Sequence, residues 1–248
     1  MNDTERIEQM VARGWGNNLL QRNNAKTTKG ESLGWVTGIL HMAPSDESVE
    51  YGGSDTCPMA SDGCRKACLY TAGRGRFRST QLSRIAKTVY FVKRREEFLS
   101  DLRKSVEAVV RVAGRVGMRP AVRLNGTSDI AWESVSTILN EFPDVQFYDY
   151  TKVPVRGIRS GLPTWPRNYH LTFSRSESNK DSVEKVMAEN PVVNIAVVFR
   201  NALPETWMGR KVIAGDDHDL RFLDERGVVV GLTEKGLAKR DETGFVIG

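Results

Sequence analysis

The chain contains few cysteines and few histidines, three of each among 248 residues. It has no run of eighteen apolar residues, and its strongest apolar stretch, "PVVNIAVVF" at 191–199, has the length of a strand. The amino-terminal "MNDTERIEQM" carries acidic residues and no apolar segment, unlike a secretory signal. We therefore expect neither a membrane span nor a membrane partner, and these absences predict a cytoplasmic protein.

The cysteines lie together: Cys57, Cys64 and Cys68 fall in one short stretch. An odd number of thiols cannot pair completely, and a reducing cytoplasm disfavours disulfides. One interpretation is three unrelated buried cysteines that act as small apolar residues. The Pro, Gly, Arg and Lys residues around them indicate a loop rather than a core strand, which favours a metal or cluster site.

The composition is that of a soluble globular protein, with 40% hydrophobic and 27% charged residues. The formal net charge is +5 and the sequence pI is about 9.1. This basic excess is compatible with nucleic acid as a partner, but basic soluble enzymes are also common. The length favours one large domain, and the oligomeric state stays open.

The hydrophobic pattern divides the chain into two parts. Residues 1–32 are polar and predict a short helix followed by a flexible lead-in, whereas 33–248 predict a single α/β domain. After a first strand near 34–44 and one or two helices over 79–117, strands and helices alternate. Such alternation predicts six or seven parallel strands, in a partial TIM-like β/α barrel or, alternatively, a doubly wound sheet.

Polar residues follow the predicted strands, where the chemistry of parallel α/β folds is normally located. Each also has a simpler interpretation, because strand-to-helix loops supply helix N-caps. The stretch "GDDHDLRF" at 215–222 is a second, weaker metal candidate. The candidates for a pocket at the strand ends are Arg123, Asn125, Gly126, Ser128, Asp129, Lys152, Ser174 and Arg175.

The spacing C-x6-C-x3-C leaves three interpretations of the thiols open. Zinc needs a fourth ligand, for which His41 and His218 are candidates. A four-iron cluster on three thiolates leaves one iron free for a small molecule. A single cysteine nucleophile, activated by the neighbouring basic side chains, accounts for only one of the three thiols.

A three-cysteine loop after the first strand of a β/α partial barrel resembles the radical S-adenosylmethionine (SAM) enzymes. Their usual motif is C-x3-C-x2-C, from which this spacing departs. The resemblance implies a [4Fe-4S] cluster on the three cysteines, with SAM on the open iron. It also implies that Tyr70 packs on the adenine, that Gly126 and Asp129 meet the SAM amino group, and that Ser174 or Ser176 meets the ribose.

The segments "TCPMASDGCRKACLYTAGRG", "VRLNGTSD" and "FYDYTK" also resemble a family of bacteriophage-encoded proteins whose function is uncharacterised. These share a C-P-x5-C-x3-C loop, and the resemblance covers roughly residues 33–152. It implies that the cysteines, Arg123, Asp129, Tyr150 and Lys152 converge in one site, in the host cytoplasm.

The sequence therefore favours an iron–sulfur enzyme acting on an unknown small-molecule substrate. Asp129, Lys152 and Arg123 are the candidate catalytic residues. Tyr70, Asn125, Gly126, Ser128, Ser174 and Arg175 are the candidate cofactor contacts. The alternative is a zinc-stabilised nucleic-acid-binding phage protein without catalysis.

Overall fold

The protein is a mixed α/β structure in a computed structural model that describes residues 1–22 and 29–248. Part of the predicted flexible lead-in, residues 23–28, lies outside the described residues. In the described part, no helix is long and apolar enough to cross a membrane.

The helices and strands whose bounds lie within these residues are as follows. The helices are α1 (Asp3–Arg13), α2 (Asp62–Lys66), α3 (Arg78–Lys93), α4 (Arg95–Arg115), α5 (Trp132–Val135), α6 (Ile138–Glu141), α7 (Pro154–Arg159) and α8 (Lys180–Glu189). The strands are β1 (Leu20–Gln21), β2 (Trp35–Leu40), β3 (Arg119–Arg123), β4 (Gln146–Thr151), β5 (Tyr169–Ser174), β6 (Ile195–Phe199), β7 (Thr206–Trp207), β8 (Arg210–Ala214), β9 (Val229–Thr233) and β10 (Val246–Ile247).

The strands form one open, mostly parallel sheet in the order β1-β2-β3-β4-β5-β6-β9-β8-β7. The predicted parallel β/α arrangement is confirmed, and seven of the strands have five or six residues. Strands β2 to β6 are neighbours in chain order, so the order differs from that of a doubly wound sheet, which reverses direction near its middle. The sheet does not close into a barrel, since β1 and β7 end it at opposite edges.

One face of the sheet, here called the helix face, is apolar. Helix α4 packs on β2 and β3, α7 on β4 and β5, and α8 on β5. Right-handed crossovers that advance in one direction place their helices on the same side of a sheet, which accounts for this layer. Side chains from β2 to β5 join the helices in the largest core cluster, among them Val36, Leu40, Val122, Phe147 and Leu171.

The opposite face, here called the site face, is more polar. A small apolar cluster covers one part of it, where Leu220 and Phe222 lie against Trp35 and Tyr148. Next to this cluster the alternate residues of the same strands are polar, and Arg123 and Thr172 are buried there. The sheet is therefore stabilised mainly from the helix face, and the site face holds the polar groups.

The amino-terminal segment contributes more to the core than its polar composition indicates. Helix α1 begins with a capping box between Asn2 and Glu5, and it buries Ile7 and Val11. Strand β1 pairs antiparallel with β2 and buries Leu20. The described part of residues 1–32 is thus attached to the sheet.

The last strand, β10, fills a gap within the sheet. Strand β5 pairs with β6 only at Ile195 and Ala196, whereas β10 pairs with β6 at Val198 and Phe199. The carboxyl-terminal segment therefore lies between the diverging ends of β5 and β6, at the edge where the polar loops emerge.

Candidate functional site

A cavity of about 440 Å³ opens at the carboxyl ends of the parallel strands. Its wall combines the ends of β3, β4 and β5 with the cysteine loop, residues 215–219 and the segment after β9. The predicted site residues that line it are Cys57, Cys64, Cys68, Arg123, Asn125, Gly126, Ser128, Asp129, Lys152, Ser174 and Arg175. The structure thus brings these predicted site residues together, whereas Tyr70, His41 and Ser176 do not line the cavity.

The cysteine loop is held in place by the carboxylate of Glu177, from the loop between β5 and α8. Glu177 accepts hydrogen bonds from the Ser61 hydroxyl and from the Gly63 amide, both at 2.7 Å. Ser61 in turn caps α2 by accepting a hydrogen bond from the Cys64 amide at 3.2 Å. A Cβ atom at Gly63 would lie 2.2 Å from Thr243 Oγ1, so only glycine fits there. The position of Cys64 therefore depends on Glu177 and on the carboxyl-terminal segment.

The thiols lie in a desolvated environment. Burial raises the pKa of Cys57 to about 11, and it also raises the pKa of Cys68. Weak polar contacts surround the sulfurs: the Tyr70 amide donates to Cys68 Sγ at 3.5 Å, and Cys57 Sγ lies 3.9 Å from the Thr127 carbonyl oxygen. Without a metal, Cys57 and Cys68 are neutral thiols at neutral pH, and metal binding there must release protons.

Lys152 brings a positive charge to these thiols. Burial by itself would lower the pKa of Lys152, but hydrogen bonding and charge interaction with Cys64, together with Asp129, raise it above its usual value. The Lys152 ammonium also lies 6.0 Å from the centre of the Phe245 ring. The ammonium is therefore retained in its charged form beside Cys64.

The carboxylate of Asp129 is fully engaged. Asp129 Oδ2 accepts from the Lys152 amide and Oδ1 accepts from Arg156 Nη1, both at 2.7 Å. Arg156 also pairs with Glu133 and donates to Tyr169. Asp129 lines the cavity, but in this arrangement its oxygens fix the end of β4 against the end of β3.

Asn125 connects several chain segments at the end of β3. Its backbone amide and side-chain amide donate to Asp149, and its Oδ1 accepts from Ser128, Ile130 and Trp132. Because these bonds use its side chain, the geometry indicates a positioning role for Asn125 and Ser128 in the loop. Burial raises the pKa of Asp149 to about 7.

Gly126 allows the ends of β2 and β3 to approach each other closely. A Cβ atom there would lie 2.7 Å from the Leu40 carbonyl oxygen and 2.8 Å from the ring of His41. The need for glycine at this position therefore comes from packing of the two strand ends.

Arg123 and Asp219 form a buried ion pair at the cavity wall, with 2.8 Å between Arg123 Nη1 and Asp219 Oδ2. The guanidinium of Arg123 also lies over the Tyr150 ring, at 4.7 Å from its centre. Burial opposes the charge of Arg123, but Asp219 and Tyr150 raise its pKa. Arg123 is thus a fixed cation on the site face.

Arg175 holds the carboxyl-terminal segment across the cavity. Its Nη1 atom donates to the carbonyl oxygens of Gly244 and, at 2.8 Å, of Phe245. The Phe245 ring and the neighbouring Ser174 both line the cavity. The geometry therefore assigns Arg175 to support of the wall.

Tyr70 lies away from the cavity and packs on Arg84 of α3. The Arg84 guanidinium is 5.6 Å from the centre of the Tyr70 ring. Arg84 Nε, Arg84 Nη1 and the Tyr70 hydroxyl are buried, and none has a hydrogen-bond partner among the described residues. Burial lowers the pKa of Arg84, and charge interaction with Cys68 opposes this shift. The sequence pattern of α3 did not distinguish Arg84 from the exposed basic residues of the same helix.

The candidate zinc ligands do not gather around the thiols. His218 lines the cavity but contacts Arg221 and Asp224, whereas His41 lies against Gly126 outside the cavity wall. In residues 1–22 and 29–248, no group of three or more His, Cys, Asp or Glu side chains is arranged to hold one metal ion.

The second metal candidate, "GDDHDLRF", forms part of the same cavity. The carboxylate of Asp216 is occupied, since it accepts from the amide and hydroxyl of Thr233 and pairs with Lys235. Asp216 and Asp219 are therefore part of the cavity wall, and their carboxylates bond to other parts of the chain.

Comparison with known proteins identifies a family. No curated protein and no solved structure matches the chain. A family model described as "Gene product 88" matches residues 18–248 and so includes both the cysteine loop and the strand ends. The match agrees with the expected resemblance to a phage-type family. The chain belongs to the Gene product 88 family.

Proposed function

We propose that the chain is an iron–sulfur protein in which Cys57, Cys64 and Cys68 bind a [4Fe-4S] cluster beside the cavity. The observation that carries this proposal is the placement of two cations, Arg84 and Lys152, next to thiols that are neutral without metal. Two cations beside three cysteines fit a cofactor that carries negative charge and is bound by thiolates, as a [4Fe-4S] cluster is.

Arg84 supplies the strongest part of this argument. Arg84 is partly buried, and its buried Nε and Nη1 atoms lack hydrogen-bond partners among the described residues, which lowers stability unless a negative charge compensates the guanidinium. The Arg84 guanidinium lies over the Tyr70 ring and interacts by charge with Cys68. A thiolate-bound, anionic cluster next to Cys68 would provide the missing charge.

The spread of the thiols favours a cluster over a single zinc ion. One zinc ion requires its ligands around one point, at about 2.3 Å for each sulfur, and the described side chains contain no such group. A four-iron cluster binds each thiolate through a different iron and so accepts a wider set of sulfurs. Three thiolates also leave one iron open toward the cavity.

The open, sequentially ordered parallel sheet supports the finer comparison with the radical SAM partial barrel. In this proposal the cavity takes SAM, and Ser174 and Lys152 are the side chains best placed to contact it. When bound and reduced by an external electron donor, such a cluster would supply one electron for reductive cleavage of the sulfonium bond of SAM, which would leave methionine and a carbon radical. Asp129, Asn125 and Arg175 would position these walls, and the buried Arg123–Asp219 pair would exclude water from one side.

The reaction substrate is a small molecule that the remaining cavity wall accepts. That wall is largely apolar, with Ala196, Val198, Leu232 and Phe245 facing the space. A cytoplasmic, reducing environment suits the three free thiols. We therefore propose that the protein is an enzyme and that part of its substrate is apolar.

The first experiment is oxygen-free purification followed by visible absorption and by analysis of iron, sulfide and zinc. We expect a brown protein with about four irons and as many sulfides per chain. Cys57→Ala, Cys64→Ala and Cys68→Ala should each lose the colour and the iron. Leu69→Ala is the matched control, because Leu69 belongs to the same loop and lines the same cavity but has no thiol.

Other results would contradict the proposal in distinguishable ways. One zinc per chain would favour the zinc-stabilised nucleic-acid-binding protein. A colourless protein whose activity needs one cysteine alone would favour a nucleophile. A loaded protein that does not cleave added SAM would retain the cluster and remove SAM from the proposal.

A further inference from the structure

Five exposed cations lie around one side of the cavity mouth, and this set is called the basic rim. They belong to two chain segments that contact each other, since the turn at Leu69–Thr71 packs against the turn at Gly236–Arg240. Leu69 and Ala238, from these turns, line the cavity. The members of the basic rim are Lys66, Arg74, Arg76, Lys239 and Arg240.

The basic rim has no ion pair within the described residues. The rim residues belong to the segments 62–77 and 236–242. The exposed carboxylates of these segments are Asp62 and Glu242, so positive charge is in excess there. The other basic stretch of the chain, at the junction of α3 and α4, behaves differently. Arg94 pairs with Glu97, and Arg95 lies over the Phe91 ring at 3.7 Å. Of these two basic stretches, the basic rim is therefore the one whose cations have no ion pair among the described residues.

Apolar side chains are exposed among these cations. Phe77 is 53% exposed, and Leu69 and Leu237 are also exposed. The guanidinium of Arg76 lies 5.8 Å from the centre of the Phe77 ring. An exposed aromatic ring beside arginines is the combination that binds unpaired bases and their phosphates together.

We infer that the basic rim binds single-stranded nucleic acid, with the phosphates on the arginines and lysines and a base on Phe77. A duplex keeps its bases stacked inside, so it cannot present one to Phe77 or to the neighbouring cavity. The formal net charge of +5 favours the same partner. This inference goes beyond the proposed cluster and does not depend on it.

The test is fluorescence anisotropy of the full chain with labelled single-stranded DNA, single-stranded RNA and duplex DNA of about 16 nucleotides. Titrations run from about 50 to about 300 mM salt, because phosphate contacts release counterions. We expect both single strands to bind more tightly than the duplex. DNA and RNA are compared to learn which sugar is preferred.

Two variants separate the contacts. Arg74→Gln with Arg76→Gln should weaken binding about tenfold or more, and it should reduce the slope of log K against log salt by about 1.4. Phe77→Ala should weaken binding about 5- to 100-fold and leave that slope unchanged, because stacking involves no counterion. The matched control is Lys180→Gln with Lys185→Gln on α8, which removes the same charge from another exposed surface.

The inference is overturned by an absence of binding at about 50 mM salt, where phosphate contacts are strongest. It is equally overturned when both double variants weaken binding alike, or when the duplex binds as tightly as the single strands. Iron content is measured in every variant. Loss of nucleic-acid binding with unchanged iron, or the reverse, shows which of the two proposals has failed.

Discussion

The two faces of the central sheet differ in how completely their side chains are satisfied. On the helix face, apolar residues from strands and helices form the main core, and Phe98 of α4 contacts the rings of Tyr90, Phe91 and Trp132. The site face carries buried polar atoms without hydrogen-bond partners among the described residues. These are Trp35 Nε1, Thr37 Oγ1, Tyr148 OH, His170 Nε2 and Thr172 Oγ1.

The contrast indicates a division of work between the faces. Hydrophobic burial on the helix face is the main favourable contribution to folding. The net free energy of folding is small for any domain. Unsatisfied polar groups on the other side reduce that free energy, and native structures keep few of them away from functional regions. Substitutions on the two faces should therefore change different properties.

The largest expected effect is on the helix face. Phe98→Ala should lower the free energy of unfolding by about 3–5 kcal/mol, because it removes a fully buried ring from an aromatic cluster. Urea unfolding monitored by circular dichroism measures the change. Val110→Ala, at an exposed position of the same helix, should change it by less than about 0.5 kcal/mol. Equal effects at the two positions would contradict the assignment of the core.

The next effect concerns pH on the site face. Burial lowers the pKa of His170 from 6.5 to about 4. Between these values the unfolded chain binds a proton that the folded chain does not, so the His170 contribution to stability rises with pH. Relative to His170→Gln, the wild type should gain about 2 kcal/mol between about pH 5 and pH 7.

Urea unfolding of both proteins across this pH range measures that difference. Asp149, whose pKa is raised to about 7 by burial, changes stability in the opposite direction, but it is present in both proteins and cancels. Identical pH dependence in the two proteins would show that His170 is solvated.

The smallest effect has the opposite sign. Arg84→Met replaces a partly buried guanidinium, whose Nε and Nη1 atoms lack hydrogen-bond partners among the described residues, by an apolar side chain of similar length, so the metal-free protein should become more stable by about 1–2 kcal/mol. In the proposed cluster protein the same change should lower iron content after oxygen-free purification. Lower stability of the metal-free variant, together with an unchanged iron content after oxygen-free purification, would remove Arg84 from the site.

The sequence predicted the general architecture because that information is local. Apolar stretches that alternate with helical patterns predicted six or seven parallel strands, and seven strands of five or six residues are observed. The polar residues that follow several of them converge at one edge of the sheet. The two-residue strands β1, β7 and β10 were missed, since such short pairings depend on contacts distant in sequence. The sequence of residues 129–143 predicts one helix, but the structure has two short ones, α5 and α6, because the chain is extended at Ser136.

The site was predicted in its membership and less well in its individual roles. Asn125, Asp129 and Arg175 line the cavity as expected, but their polar atoms bond to other parts of the chain. Tyr70 packs on Arg84 rather than facing the cavity. These pairings arise when α3, the cysteine loop and the strand ends dock together, and no spacing in the sequence encodes them.

By itself, the sequence determined that three thiols share one basic, glycine-rich loop and that polar residues follow parallel strands. Such features depend on residue type and periodicity over a short stretch of sequence. Only the tertiary structure decided which of the polar groups neutralise each other and which cations remain for an anionic partner. The reason is that Glu177, Arg84 and Lys152 reach the cysteine loop from separate elements, and these contacts form only after the sheet and helices have packed.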